Sequence, residues 1–142
     1  VRTLKLALLA LLLEWLPVVL WAALIFAFSA QPNLRFAQAD SVDFVVRKAG
    51  HMLVFGVLAI LLWRALMSAQ TSRPIVWSWL LTAAYAGSDE FHQSFTSGRH
   101  PSPLDVGIDA AGALIALCIL VVWIRLRRGG RRSTDARPRT GR

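Results

Sequence analysis

Charge is the scarcest thing in this sequence. Eight of its 142 residues are acidic, and three stretches of fifteen residues, 49–63, 74–88 and 110–124, carry no formal charge at all. Residues 6–30 hold one charge, Glu14. A soluble domain spreads charge over about a quarter of its residues. Here the share is 17% and unevenly placed, which argues against a soluble domain. Cysteine is nearly absent too. The single Cys118 rules out a disulfide within the chain and a thiolate metal cluster, and its apolar surroundings read as helix packing.

What fills the chain instead is hydrocarbon. Apolar residues make up 56% of the sequence and the mean hydropathy is +0.52, against about 45–50% apolar in ordinary soluble domains. A membrane-spanning helix needs about 20 mostly apolar residues. Each charge-free run reaches that length only by taking in a few polar residues at one end. The expected fold is therefore all-α, an integral membrane bundle of four transmembrane helices occupying 1–126. Residues 127–142 form a basic tail of Arg, Ser, Thr, Pro and Gly whose composition reads as disordered. The net charge of +8 does not point to nucleic acid, because half of the sixteen Lys and Arg lie in 125–142, beside an apolar helix. A basic cluster there is first a topology signal.

Arg2 and Lys5 precede the first apolar run, an arrangement shared with signal peptides. The length of the run and the three runs after it favour a first membrane helix. Pro17 is expected to kink that helix. Glu14 either lies at the interface or is held within the bundle. Asp40 can cap a second helix, which carries Lys48 and His51 and reaches Arg64. Residues 68–74 read as a loop, 75–95 as a third helix that is oily first and polar last, and 97–101 as a tight loop turning at Gly98. Ser102-Pro103-Leu104-Asp105 has the pattern of a helix start: Ser as N-cap, Pro at the first position, an acid at the third. This fourth helix is expected to run to Ile124.

Counting Lys and Arg in alternate connections gives twelve on one side (Arg2, Lys5, Arg64, Arg73 and eight in the tail) and four on the other (Arg35, Arg47, Lys48, Arg99). The positive-inside rule then puts both termini in the cytoplasm. Trp63, Trp77, Trp79 and Trp123 fall near the cytoplasmic helix ends, as an aromatic belt would. In that orientation Lys48, His51, Asp89, Glu90, Gln93, Arg99, Asp105 and Asp109 share one layer at the outer side. Lys48 and His51 are three apart, while Asp89 and Gln93, and Asp105 and Asp109, are four apart, so each pair lies on one helix face.

Such a layer has two plain explanations: mutual counter-ions holding the bundle together, or groups wetted among the headgroups. Its functional reading is a pocket open to the outside. Arg99 would be the anion anchor, because a planar guanidinium suits phosphate or carboxylate. Asp89 or Glu90 would be the acid or base, and His51 a proton shuttle. Lys48, Gln93, Asp105 and Asp109 would complete the ligand site. His51, His92 and the acids lack the His-x-x-x-His or Glu-x-x-His spacing of a metal site, and neither metal nor cofactor is expected.

At these residues the sequence resembles the VanZ-like family of bacterial membrane proteins. The likeness begins at Phe28-Ser29-Ala30-Gln31-Pro32, continues at Lys48-Ala49-Gly50-His51 with Phe55, and is most specific at Asp89-Glu90-x-x-Gln93-x-Phe95-x-x-Gly98-Arg99-x-x-Ser102-x-x-Asp105, then Asp109 and Gly112. Two positions depart: Asp109 stands where the family usually has Asn, and Ser97 where Pro is common. The resemblance implies an integral protein of the bacterial cytoplasmic membrane, named after an accessory protein that lowers sensitivity to the glycopeptide teicoplanin. The leading expectation is an extracytoplasmic polar pocket for an anionic lipid headgroup or a lipid-linked cell-wall precursor. A lipid-modifying enzyme using Glu90 or Asp89 as acid or base, and a structural or partner-binding subunit, are the alternatives.

The basic-residue count yields a direct test of topology. In a chain with Cys118→Ser, a single cysteine at Ser97 is expected to react with a membrane-impermeant thiol reagent in intact cells, and one at Ser133 only after permeabilisation. The reverse pattern would invert the orientation.

Overall fold

The computed structural model of the chain describes residues 2–29, 31, 40–96 and 102–135. They form four helices: α1 (Arg2–Ser29), α2 (Asp40–Ser68), α3 (Pro74–Gln93) and α4 (Pro103–Asp135). There is no strand among the described residues. Three helices contain stretches long and apolar enough to cross a membrane, Leu12–Ser29, Ser41–Ser68 and Pro103–Gly129. The chain is a helical membrane bundle.

Consecutive helices alternate in direction, so α2 and α4 run parallel. α2 packs against all three of the others, while α1 touches α2 and, more sparingly, α3. The α2/α4 seam is made of small residues, as in membrane helix pairs generally, where packing rather than hydrophobicity draws helices together. Ala59 and Ala113 are fully buried there. A Cβ on Gly56 would lie 3.1 Å from Ala116 Cβ, and one on Gly112 would lie 2.5 Å from the carbonyl oxygen of Met52. The second core cluster joins α1 to α2 and α3 through Val18, Ile25, Phe55, Leu58, Leu62, Ala65 and Ala86.

α1 is held by polar bonds to neighbouring backbone. Trp21 Nε1 donates to Val54 O at 2.8 Å, and Tyr85 Oη donates to Ala22 O at 2.6 Å. At the opposite end Arg64 Nε lies 2.8 Å from Glu14 Oε2. Glu14 thus has a partner on α2, both side chains partly exposed. α1 passes through Pro17 as one helix.

α3 is the most instructive element. Its buried residues are Ser78, Thr82, Ala86, Asp89, Glu90 and Gln93, spaced as one helical stripe, while Ile75, Val76, Trp77, Leu80 and Leu81 are exposed. Polar groups point in and apolar groups out, the reverse of a water-facing helix and the arrangement a bilayer demands. Ser78 and Thr82 satisfy themselves on backbone carbonyls one turn back, at 2.5 and 2.7 Å.

Two expectations change. Only Trp77 and Trp123 are exposed as belt residues should be. Trp63 and Trp79 turn inward against Ala59, Ala113 and Leu117, and Trp79 Nε1 donates to Ala110 O at 3.0 Å. An indole near a helix end can serve a neighbouring backbone as well as the interface. α4 also continues past Ile124, through Gly129 and Gly130, to Asp135, where composition suggested disorder.

The α2/α4 seam makes a prediction. Gly112→Ala should lower stability by about 1–3 kcal/mol, since a methyl there meets backbone that cannot step aside. Gly50→Ala, whose Cβ meets nothing within 4 Å, should be neutral or slightly stabilising. Thermal denaturation of both variants in mild detergent checks the contrast.

Candidate functional site

The polar layer assembles at the end of the bundle where α2 and α4 begin and α3 ends. Because α2 and α4 run parallel, pairs spaced three and four along them meet rung by rung. Lys48 pairs with Asp105. One turn further in, His51 Nδ1 lies 3.3 Å from Asp109 Oδ2. With Asp109 ionised the carboxylate can only accept, and this imidazole nitrogen is then the donor. Asp109 is 4% exposed, and its second oxygen, Oδ1, is buried and has no hydrogen-bond partner among the described residues. The carboxylates of Asp89 and Asp105 also act on it through their charge.

A second cluster centres on Asp89, which is 2% exposed. The Ser29 hydroxyl donates to Asp89 Oδ1 at 2.5 Å, and Gln93 Nε2 donates to Oδ2 at 2.8 Å. Both partners are neutral. Glu90, also buried, has a different task. Its Oε1 accepts the backbone N–H of Ser102 at 2.9 Å, while Ser102 Oγ accepts from Leu104 N at 3.3 Å. In a capping box the acid three residues after the cap would turn back to that N–H. Here that acid, Asp105, is taken by Lys48, and Glu90 reaches across from α3 to replace it. Its negative charge also suits the positive end of α4.

Sequence reasoning thus identified residues that the fold does gather, but not their partners. Lys48, His51, Asp105 and Asp109 form one ladder. Asp89 and Gln93 form the second cluster. Glu90, read as an acid or base, is engaged in holding the start of α4. Arg99 lies outside the described residues, as does the rest of the loop 97–101. His92 stacks on Phe26 with ring centroids 4.0 Å apart.

Three further residues belong here. Asp43, 2% exposed, accepts Arg47 Nε at 3.0 Å. Ser29 is buried against Asp89, and its signal was present in the Ser-Ala-Gln-Pro segment; as a neutral side chain it does not stand out in a search led by charge. Ser29, Arg47 and His51 all line a crevice of about 300 Å³ between α1 and α2, whose other walls include Trp21, Leu24, Ile25, Phe28, Val46, Gly50 and Val54. Both polar clusters therefore present one member to the same crevice. Among the described residues no three His, Cys, Asp or Glu side chains are grouped to hold a metal.

The role of Glu90 can be measured. Glu90→Ala should cost about 1–3 kcal/mol by leaving the Ser102 N–H without its acceptor. Glu90→Gln, whose amide oxygen can still accept, should fall within about 1 kcal/mol of the parent. Melting in detergent separates the two.

Comparison with known proteins gives one answer. No curated protein and no solved structure matches the chain. The family model described as VanZ/LLP1 matches residues 14–125. That span takes in the polar ladder, the Asp89 cluster and the crevice, and on it the chain belongs to the VanZ-like family.

Proposed function

We propose that this protein binds the headgroup of an anionic membrane lipid, or of a lipid-linked cell-wall precursor, at the polar layer. We place it in the bacterial cytoplasmic membrane with both termini in the cytoplasm, so that the layer faces outward. The observation carrying this reading is the crevice wall, where Ser29, Arg47 and His51 stand among apolar side chains and lead back to buried Asp89, Asp43 and Asp109. Charge at membrane depth is expensive and tends to mark functional positions. Counter-ion pairing accounts for Lys48 with Asp105, and capping of α4 accounts for Glu90. Neither accounts for Asp109 Oδ1, buried without a partner among the described residues, or for polar groups on a wall that could have been wholly apolar. Arg99 would add an anion anchor from the third connection. A lipid-linked precursor as ligand would tie the protein to glycopeptide tolerance.

One observation favours an enzymatic reading. The Ser29–Asp89 hydrogen bond sets a buried carboxylate behind a hydroxyl that lines the crevice, so that Asp89 could move a proton to or from a bound lipid through Ser29. Asp89→Asn should then abolish turnover of a lipid substrate while binding persists.

The binding proposal is tested with protein in nanodiscs, measuring retention of phosphatidylglycerol against phosphatidylcholine by native mass spectrometry. Arg99→Lys keeps the charge and removes the planar fork. It should weaken selective retention of the anionic lipid about tenfold, the equivalent of roughly 1.4 kcal/mol, in a protein that still inserts. Equal retention of both lipids by the parent protein would sink the proposal.

A further inference from the structure

We infer that the crevice between α1 and α2 seats one hydrocarbon chain of an anionic membrane lipid, with Gly50 keeping the seat open and Arg47 holding the phosphate at its polar rim. This rests on the lipid reading above and adds to it where the tail goes.

Gly50 sits in the interior of α2, where glycine is about 0.8–1.0 kcal/mol worse than alanine for the helix. It lines the crevice, and a Cβ there would touch nothing within 4 Å. Packing against another helix therefore does not explain it, unlike Gly112. Keeping the space clear does. The wall facing it is apolar. Its polar groups are spent, the Trp21 N–H on Val54 O and the Ser29 hydroxyl on Asp89, so no unsatisfied donor on it meets a hydrocarbon chain. Leu24, Phe28 and Val46 line the crevice and are exposed, so it opens on the side that lipid surrounds. A volume of about 300 Å³ is at the low end for ligand pockets, suited to one chain and too small for both tails of a phospholipid.

The rim selects the headgroup. Arg47, Gly50, His51 and Val54 follow one another on one face of α2. The buried carboxylate of Asp43 takes Arg47 Nε, which orients a half-exposed guanidinium that has five N–H donors in all. A phosphate is the group that such a fork holds best.

The test uses full-length protein in nanodiscs and phosphatidylglycerol carrying a photoreactive group in one acyl chain. Crosslinks are expected to concentrate on the crevice, at Leu24, Phe28 and Val54. Gly50→Leu should reduce them about tenfold at unchanged melting temperature. Should Gly50→Leu not fold, Gly50→Cys in the Cys118→Ser chain, labelled after purification with a bulky maleimide, takes its place. Arg47→Gln should lower crosslinking of the phosphatidylglycerol probe strongly and that of the phosphatidylcholine analogue less, since its phosphate is already neutralised by its own choline cation. Crosslinks spread evenly over the lipid-facing helices, or unaffected by a filled position 50, would overturn the seat. If headgroup selectivity sensitive to Arg99 persisted in that case, the headgroup reading would stand without it; loss of all selectivity would remove both.

Discussion

How near α4 comes to α2 governs the polar end of this molecule. A Cβ on Gly112 would lie 2.5 Å from Met52 O and 2.6 Å from Met52 Cα, so any other residue must push the helices apart. Met52 follows His51, and Asp109 lies three residues before Gly112 on the same face of α4. The backbone contact therefore sets the His51–Asp109 separation directly, and the Lys48–Asp105 pair one turn away with it. In a low-dielectric interior these groups are costly unless paired. A small displacement would leave charges without their partners, so packing and electrostatics here depend on the same glycine.

The layer mixes two ways of burying an acid. Asp43 and Asp105 meet the cations Arg47 and Lys48, and Asp109 meets an imidazole. Asp89 and Glu90 meet only neutral donors among the described residues: a hydroxyl, an amide and a backbone N–H. The first kind lies within α2 and between α2 and α4; the second ties α3 to the end of α1 and to the start of α4. The resemblance drawn from the sequence leads one to expect Asn at the position of Asp109. An amide oxygen could also accept from His51 Nδ1, but it could not balance an imidazolium. The carboxylate makes this rung sensitive to the charge of His51 in a way an amide would not be.

α1 stands apart from this arrangement. Among the described residues it does not reach α4, and beside Val18 and Ile25 in the core its polar attachments are an indole, a phenol, a hydroxyl and the Glu14–Arg64 ion pair. A helix held at a few polar points, with large exposed apolar residues such as Leu16, Leu20 and Phe28 between them, leaves room beside it. The crevice is the consequence of that sparse docking, and it lies where the two polar clusters come closest to lipid.

The helices, their number and their order were legible in the charge-free runs, because hydrocarbon burial in a bilayer depends on composition along the chain. The start of α4 was legible as well, since capping is local chemistry: Ser102, Pro103 and Asp105 lie within one turn. So was the membership of the polar layer, because spacings of three and four place side chains on one helix face. Spacing does not say how each helix is rotated against its neighbours. That rotation decides that Glu90 meets the Ser102 N–H, that Asp105 takes Lys48, that Trp63 and Trp79 turn inward, and that neutral Ser29 joins Asp89. It is set by contacts between residues far apart in sequence, above all Gly112 against Met52 and the Trp21 and Tyr85 bonds to α2 and α1, and so only the tertiary structure could decide it.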